Sequence, residues 1–179
     1  MSEYFDLIQA RESCRDFDPA RPVEREKLEK CIEAARLAPS ACNSQPWKFY
    51  VVTDPARRAA LCQAVQENGM NKFADNAPVL TVVVQEEAAL AERAAKRFGK
   101  QGFADIDIGL TVSQYCCAAT EQGLSTCILG WLNEEKIRAL LDIPSERRVR
   151  LVIPTGYAAN GKLRTKTRKA TEEMAVFLD

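Results

Sequence analysis

A single mixed β-sheet with helices on both faces is the architecture this sequence predicts, and three observations carry the prediction. The chain has 179 residues, the size of one domain able to bury a substantial core, so a single domain is expected over 1–179. Strand-length runs of apolar or β-branched residues recur at Trp47–Thr53, Val79–Gln85, Thr126–Leu129 and Val149–Ile153, which suits a sheet of about four or five strands. Between them lie stretches with helical periodicity, and the alternation is too irregular for repeated strand–helix–strand units.

In chain order, the first helix is expected over Glu3–Arg11. A second runs from Glu24 to Ala38, with Leu28, Cys31, Ile32, Ala35 and Ala38 on one face. It ends ahead of Pro39, because the residue before a proline is pushed out of the α region. After the Trp47–Thr53 strand, Asp54-Pro55 supplies an N-cap and a first-turn proline to a helix that buries Leu61, Cys62 and Val65. Glu67–Lys72 reads as a flexible connection. Val79–Gln85 is almost wholly apolar, as expected of a strand covered on both faces. An alanine- and charge-rich helix is expected over Glu87–Arg97, followed by a loop at Gly99–Gly102. Ile106–Gln122, with Ile108, Leu110, Val112, Tyr115, Cys116 and Ala119, is apolar nearly all round and reads as a buried helix closed by Gly123. Asp105 and Asp107 at its start suit a capping role better than a catalytic one, since negative charge is favourable there. Asn133 caps a helix that buries Ile137, Leu140 and Leu141 and stops before Pro144. A last short helix is expected after Arg168.

Composition excludes several classes. Lys plus Arg and Asp plus Glu are 25 each, so no global field draws the chain to nucleic acid or to an anionic membrane. No apolar run approaches the roughly 20 residues that span a bilayer, and the start, Met1-Ser2-Glu3-Tyr4-Phe5-Asp6, does not read as a signal peptide. Seven cysteines form no C-x-x-C pair, and the sequence has no histidine to complete a zinc site. They read as small buried hydrophobes in a reducing cytosol, and a cytoplasmic location is expected.

Three segments carry the functional signal. Residues 39–47, Pro39-Ser40-Ala41-Cys42-Asn43-Ser44-Gln45-Pro46-Trp47, form a polar loop between a helix and a strand. It offers hydroxyl and amide groups and nothing that titrates near neutrality, which suits a planar polar ligand edge. Arg11-Glu12-Ser13-Cys14-Arg15-Asp16-Phe17 presents two guanidiniums and a hydroxyl at alternate positions, a receptor for phosphate through charge-assisted bonds. Read by itself, the same segment also fits a solvated basic turn paired with Asp16 and Asp18. Lys166-Thr167-Arg168-Lys169 adds cations near the end. In that order, R-x-S-x-R-x-F, A-P-S-x-x-N-x-Q-P-W and a late R-K resemble the nitroreductase family, the FMN-dependent dimeric oxidoreductases. Leu140-Leu141-Asp142-Ile143-Pro144 and Pro154-Thr155-Gly156-Tyr157 fall where that family carries L-L-x-x-P and P-x-G-Y, so the resemblance spans essentially the whole chain.

The resemblance implies an α+β fold with a largely antiparallel sheet, in a chain short enough that an insertion over the substrate pocket is reduced or missing. It assigns Arg11, Ser13, Arg15, Lys166 and Arg168 to the FMN phosphate, whose roughly −1.5 to −2 charges suit several converging cations. Pro39, Ser40, Ala41 and Asn43 match positions lining the flavin ring from the partner subunit; a purely structural turn fits these four residues equally well. Leu129 and Gly130 match positions whose backbone lies beside the reactive flavin edge, although a strand-ending glycine before Trp131 is also common. Asn71 is a possible counterpart of an asparagine that some relatives place against the flavin. Cys14 and Cys42, with no base nearby, read as packing residues. Glu12 departs from the pattern, and its side chain is expected to point away from the ligand.

The function implied is an NADH- or NADPH-dependent flavin oxidoreductase. It would reduce nitroaromatics, quinones or similar acceptors by a ping-pong cycle as a homodimer with FMN at the subunit interface. No catalytic side chain and no metal are expected, because the flavin carries the chemistry. The alternatives are a flavin-binding module that does not turn over, or a flavoenzyme of the same fold doing reductive dehalogenation or flavin modification. The helix between the phosphate segment and the 39–43 loop, roughly 15 residues and about 22 Å long, favours a site shared between two subunits.

Overall fold

Val79–Gln85 carries valine, leucine and threonine at six consecutive positions, and every one of those side chains is buried. The run forms a central strand (β2) of a four-stranded sheet in a computed structural model that describes residues 3–178; Met1 and Ser2 of the polar start, and Asp179, lie outside the described residues. Strand β1 is Trp47–Val52, β3 is Ser125–Thr126 and β4 is Arg148–Gly156, in the spatial order β1-β2-β4-β3, with every pairing antiparallel. Only the isolated parallel bridge of Ser13 to Thr126 makes the arrangement mixed. The fold is therefore α+β with a largely antiparallel sheet, as expected.

The helices are α1 (Glu3–Ala10), α2 (Arg25–Arg36), α3 (Pro55–Val65), α4 (Glu92–Phe98), α5 (Ala104–Glu121), α6 (Glu134–Leu141) and α7 (Thr171–Met174). Alternation along β2 divides the core in two, because successive strand side chains face opposite ways. Leu80, Val82 and Val84 pack with Leu61, Cys62 and Val65 of α3 and Ile137 of α6. Val83 packs on the other face with Cys31 and Ala35 of α2 and Ile108, Val112, Tyr115, Cys116 and Ala119 of α5. Tyr115 pins α5 to the sheet, its hydroxyl 3.0 Å from Thr81 Oγ1 and 3.2 Å from Thr155 Oγ1. The Asp54 carboxylate caps α3 by accepting from the Arg57 N–H at 2.9 Å, and Asn133 caps α6 by accepting from the Lys136 N–H at 2.9 Å.

Several expectations are corrected. Helix α4 begins at Glu92, not Glu87, and residues 86–91 have no regular structure. The connection after α3 is two 3-10 turns, Glu67–Gly69 and Lys72–Asn76, tied down by Asn71, whose amide donates to the Val65 carbonyl at 3.0 Å. Leu140 and Leu141 are half-buried. Neither Asp105 nor Asp107 caps α5: Phe103 occupies the cap position without a side-chain bond, Asp105 pairs with Arg150 at 2.7 Å, and Asp107 reaches another loop. Finally, α5 is not buried all round. Ile106 and Leu110 are 63% and 42% exposed, Tyr4 and Phe5 of α1 are exposed as well, and Leu110 and Tyr4 line one groove.

Candidate functional site

The segment leaving α1 runs extended, with Ser13 bridged to Thr126 and the Cys14 N–H donating to the Thr126 carbonyl at 2.8 Å. Buried Cys14 and Phe17 anchor it, and Arg15 and Asp16 between them are exposed. Arg11, Ser13, Arg15, Lys166 and Arg168 line one cleft of about 270 Å³, joined by Glu12, Arg164, Thr165 and Thr167. Three residues singled out by local spacing and two that the family resemblance added from the other end of the chain thus share one cavity.

The electrostatics of the cleft are unusual. Partial desolvation, then the charges of Arg11 and Arg168, hold the Lys166 ammonium below its ordinary value, with Glu12 pulling the other way. Cations are gathered here in excess of the acids that neutralise them, which is the chemistry of an anion receptor. Glu12 is itself among the residues lining the cleft, and its carboxylate is engaged by Arg164: it accepts from Arg164 Nε at 3.4 Å, while the Arg164 guanidinium also donates to the Ser13 carbonyl. Arg164 escaped the sequence reading, although a signal was present: Lys162, Arg164, Lys166 and Arg168 are cations at alternate positions.

A continuous set of contacts leads from this cleft to the Leu129–Trp131 segment. The Arg15 guanidinium lies 6.0 Å from the Phe73 ring centroid, and Phe73 stacks on Phe17. Two residues before Phe73, Asn71 adopts a left-handed backbone (φ 53°), and its amide donates to the Trp131 carbonyl at 3.3 Å. Leu129 is buried and bonded both ways to Val152, its N–H donating at 2.9 Å and its carbonyl accepting at 3.0 Å, so neither its side chain nor its amide is free. Gly130 is exposed, and among the described residues none accepts from its N–H. A Cβ at Gly130 would meet nothing nearer than 4.0 Å, so this chain's own packing does not require glycine there.

The 39–43 loop lies elsewhere. Its backbone is tightly wound, with left-handed φ at Cys42 (54°), Asn43 (52°) and Gln45 (46°). Ser40 Oγ accepts from the Gln45 N–H at 3.0 Å, and Asn43 Oδ1 accepts from Gln45 Nε2 at 3.2 Å. The Ala41 N–H donates to Asp107 Oδ1 at 3.1 Å, which fastens the loop to the first turn of α5. Pro39 lines a groove of about 450 Å³ with Tyr4, Leu7 and Leu110, on the apolar surface of α1 and α5. None of Pro39, Ser40, Ala41 or Asn43 lines the cationic cleft. Arg11 is near enough to bear on Cys116, nine residues beyond Asp107 and about 14 Å further along α5. On one chain the cationic cleft and the 39–43 loop are therefore separate.

Among the described residues no cluster of Cys, Asp or Glu is placed to hold a metal, and no helix is long and apolar enough to cross a membrane. All seven cysteines are free; Cys42 is exposed, Cys117 partly so, and the rest are buried.

Fold and sequence together define the class. The family model described as the nitroreductase family matches residues 8–69 and 62–157, and the chain belongs to that family. Among its relatives, iodotyrosine deiodinase 1 of Rattus norvegicus is 26% identical over 183 residues, covering 89% of this chain. The chain spans 63% of the length of that relative. YodC of Bacillus subtilis, named as an NAD(P)H nitroreductase, is 26% identical over 178 residues, covering 86% of this chain and 88% of that protein. Among solved structures, a nitroreductase family protein from Streptococcus pneumoniae TIGR4 aligns with TM-score 0.82 at 24% identity, over 98% of this chain and all of that one. An Exiguobacterium sibiricum structure, described as a nitroreductase in complex with FMN, aligns with TM-score 0.84 at 18% identity over 99% of this chain and 98% of that one. At those identities the two structures establish the shared fold.

Proposed function

We propose that this chain, as a single domain over 1–179, is an FMN-dependent oxidoreductase. It takes reducing equivalents from NADH or NADPH, passes them to an electron-poor acceptor such as a nitroaromatic or quinone, and works as a homodimer. The observation that carries the reading is the cleft in which Arg11, Arg15, Lys166 and Arg168 converge with Ser13. Four cations and a hydroxyl suit one terminal phosphate, and the sequence has no G-x-G-x-x-G loop for a dinucleotide. The FMN named for the Exiguobacterium structure and the NAD(P)H named for YodC agree with it.

In this reading Arg11, Ser13, Arg15, Lys166 and Arg168 hold the phosphate. Pro39, Ser40, Ala41 and Asn43 of the other subunit meet the ring, offering donors for its polar edge. The free Gly130 N–H stabilises negative charge on the reactive edge, and Leu129 holds the Gly130 backbone in place through its two bonds to Val152. Asn71, bonded to the Trp131 carbonyl, supports the same segment. Bound FMN supplies the redox chemistry, accepting hydride from the nicotinamide and reducing the acceptor that replaces it. We place the protein in the cytoplasm, in keeping with its odd number of cysteines and no C-x-x-C pair.

Purified protein should be yellow, release FMN on heating and bleach with NAD(P)H under argon. Release of FAD, or no flavin, contradicts the assignment; a flavin that never bleaches marks a passive binding module. The deiodinase relatives favour one second reading, reductive dehalogenation of a halogenated aromatic. Comparing turnover of nitroaromatic, quinone and halophenol acceptors separates the two.

A further inference from the structure

Among the residues lining the cationic cleft, Glu12 is the only acid. A carboxylate beside a phosphate site repels the phosphate, so charge alone gives it no reason to be there. Its contacts supply one. The Glu12 side chain is only 14% exposed, and its Oε2 accepts from the Arg164 backbone N–H at 3.2 Å and from Arg164 Nε at 3.4 Å. Arg164 also donates to the Ser13 carbonyl, so one side chain is held by two consecutive residues of the Arg11–Arg15 segment.

Residues 161–169 have no regular secondary structure. Their base is fixed by the Ala159 N–H to the Asp16 carbonyl at 2.9 Å and by Asn160 Nδ2 to Asp16 Oδ2 at 2.6 Å. Beyond that base, the hydrogen bonds tying residues 161–169 to distant parts of the described chain all run through Arg164 to Glu12 and Ser13. Lys166 and Arg168 follow two and four residues beyond Arg164, and all three line the cleft.

We propose that Glu12 is a positioning residue: acting through Arg164, it clasps the C-terminal segment against the Arg11–Arg15 segment so that Lys166 and Arg168 face the phosphate site. The inference rests on the FMN-phosphate reading of the cleft. Crowding of Lys166 by Arg11 and Arg168 shows what the clasp works against, since like charges held together would otherwise move apart.

The sign of one substitution separates positioning from charge. FMN is titrated into apoprotein of the wild type, Glu12→Gln, Arg164→Gln and the double variant, with melting temperatures recorded to show intact folds. The clasp predicts that each single variant weakens FMN binding about tenfold and that the double variant is no weaker than either. Charge alone predicts the reverse for Glu12→Gln, tighter binding on loss of an acid, with the double variant near wild type. In parallel, trypsin cleavage within residues 162–169 of the apoprotein should be faster in Glu12→Gln at equal melting temperature. Glu12→Gln binding FMN as tightly as wild type or tighter, or being cleaved at the wild-type rate, overturns the proposal. Wild-type protein that fails to bind FMN overturns the flavin assignment instead, and the cleavage rates then decide the clasp by themselves.

Discussion

At the scale of single residues, Arg11 and Arg168 come from opposite ends of the chain to line one cleft, and their contribution is directly measurable. A charge-assisted hydrogen bond is worth about 1.5–3 kcal/mol, so Arg11→Ala or Arg168→Ala should weaken FMN binding roughly tenfold or more with the melting temperature of the apoprotein unchanged. Wild-type affinity in both variants would mean an ordinary solvated surface. The cysteines give a second prediction. Burial pushes the Cys31 thiol up to about 12 and those of Cys62 and Cys116 up to about 11, from an ordinary value of 9.0. Their folded values are raised, so the stability they confer is complete below pH 9 and is lost as pH climbs toward 11–12, where the unfolded chain has released protons that the folded chain retains. The melting temperature of the apoprotein should fall across that window, less steeply in Cys31→Ala; identical slopes would contradict the packing role. The alternation of Arg11, Ser13 and Arg15 was legible in the sequence because it is local. The Glu12–Arg164 pair was not, because it joins two chain ends whose meeting depends on the fold.

At the scale of elements, α5 is fastened at two points. Its first turn holds the 39–43 loop through Asp107 and Ala41, and its middle is fixed to β2 and β4 by Tyr115. Tyr115→Phe keeps the ring and removes the hydroxyl that Thr81 and Thr155 share, leaving buried oxygens short of a partner. The expected cost is about 1–3 kcal/mol, read as a lower denaturation midpoint at unchanged slope. Asp107→Ala should act on the site instead, weakening FMN binding several-fold as the Ala41 amide loses its acceptor; unchanged affinity would detach the loop from the flavin. Most elements could be read from sequence, with Asp54, Asn133 and Gly123 marking helix ends through cap chemistry that is local. The misreadings have physical causes. The strand expected over Val149–Ile153 runs on to Gly156 as β4, because Pro154, though it has no N–H to donate, still offers its carbonyl to the Cys127 N–H at 3.1 Å. A β-bulge between the Val83 and Val84 pairings leaves Arg150 without a partner across β2, and Arg150 instead takes the Asp105 carboxylate that resembled a helix cap. Periodicity gave α5 no polar side because the face bearing Ile106 and Leu110 is apolar as well.

At the scale of the whole molecule, the exposed apolar side chains of α1 and α5 and the separation of the cationic cleft from the 39–43 loop both favour the proposed shared site. Helix α2, with 12 residues, puts about 18 Å between the segment before it and the loop after it, and the loop is fastened toward the opposite end of α5 from Arg11. A two-fold partner packing on Tyr4, Phe5, Ile106 and Leu110 would cover apolar surface and bring its Ser40–Asn43 loop to the phosphate cleft of the first subunit. The central claim is this shared site, and subunit complementation tests it most directly. A subunit carrying Arg11→Ala and Arg168→Ala is mixed with one carrying Asn43→Ala under conditions that allow exchange, and flavin content and NAD(P)H oxidation are measured. The account predicts that mixed dimers regain one intact site and a share of the wild-type activity that neither parent shows. Mixtures no more active than their parents, or a wild-type protein that is monomeric, fully flavinated and active at working concentration, would contradict it.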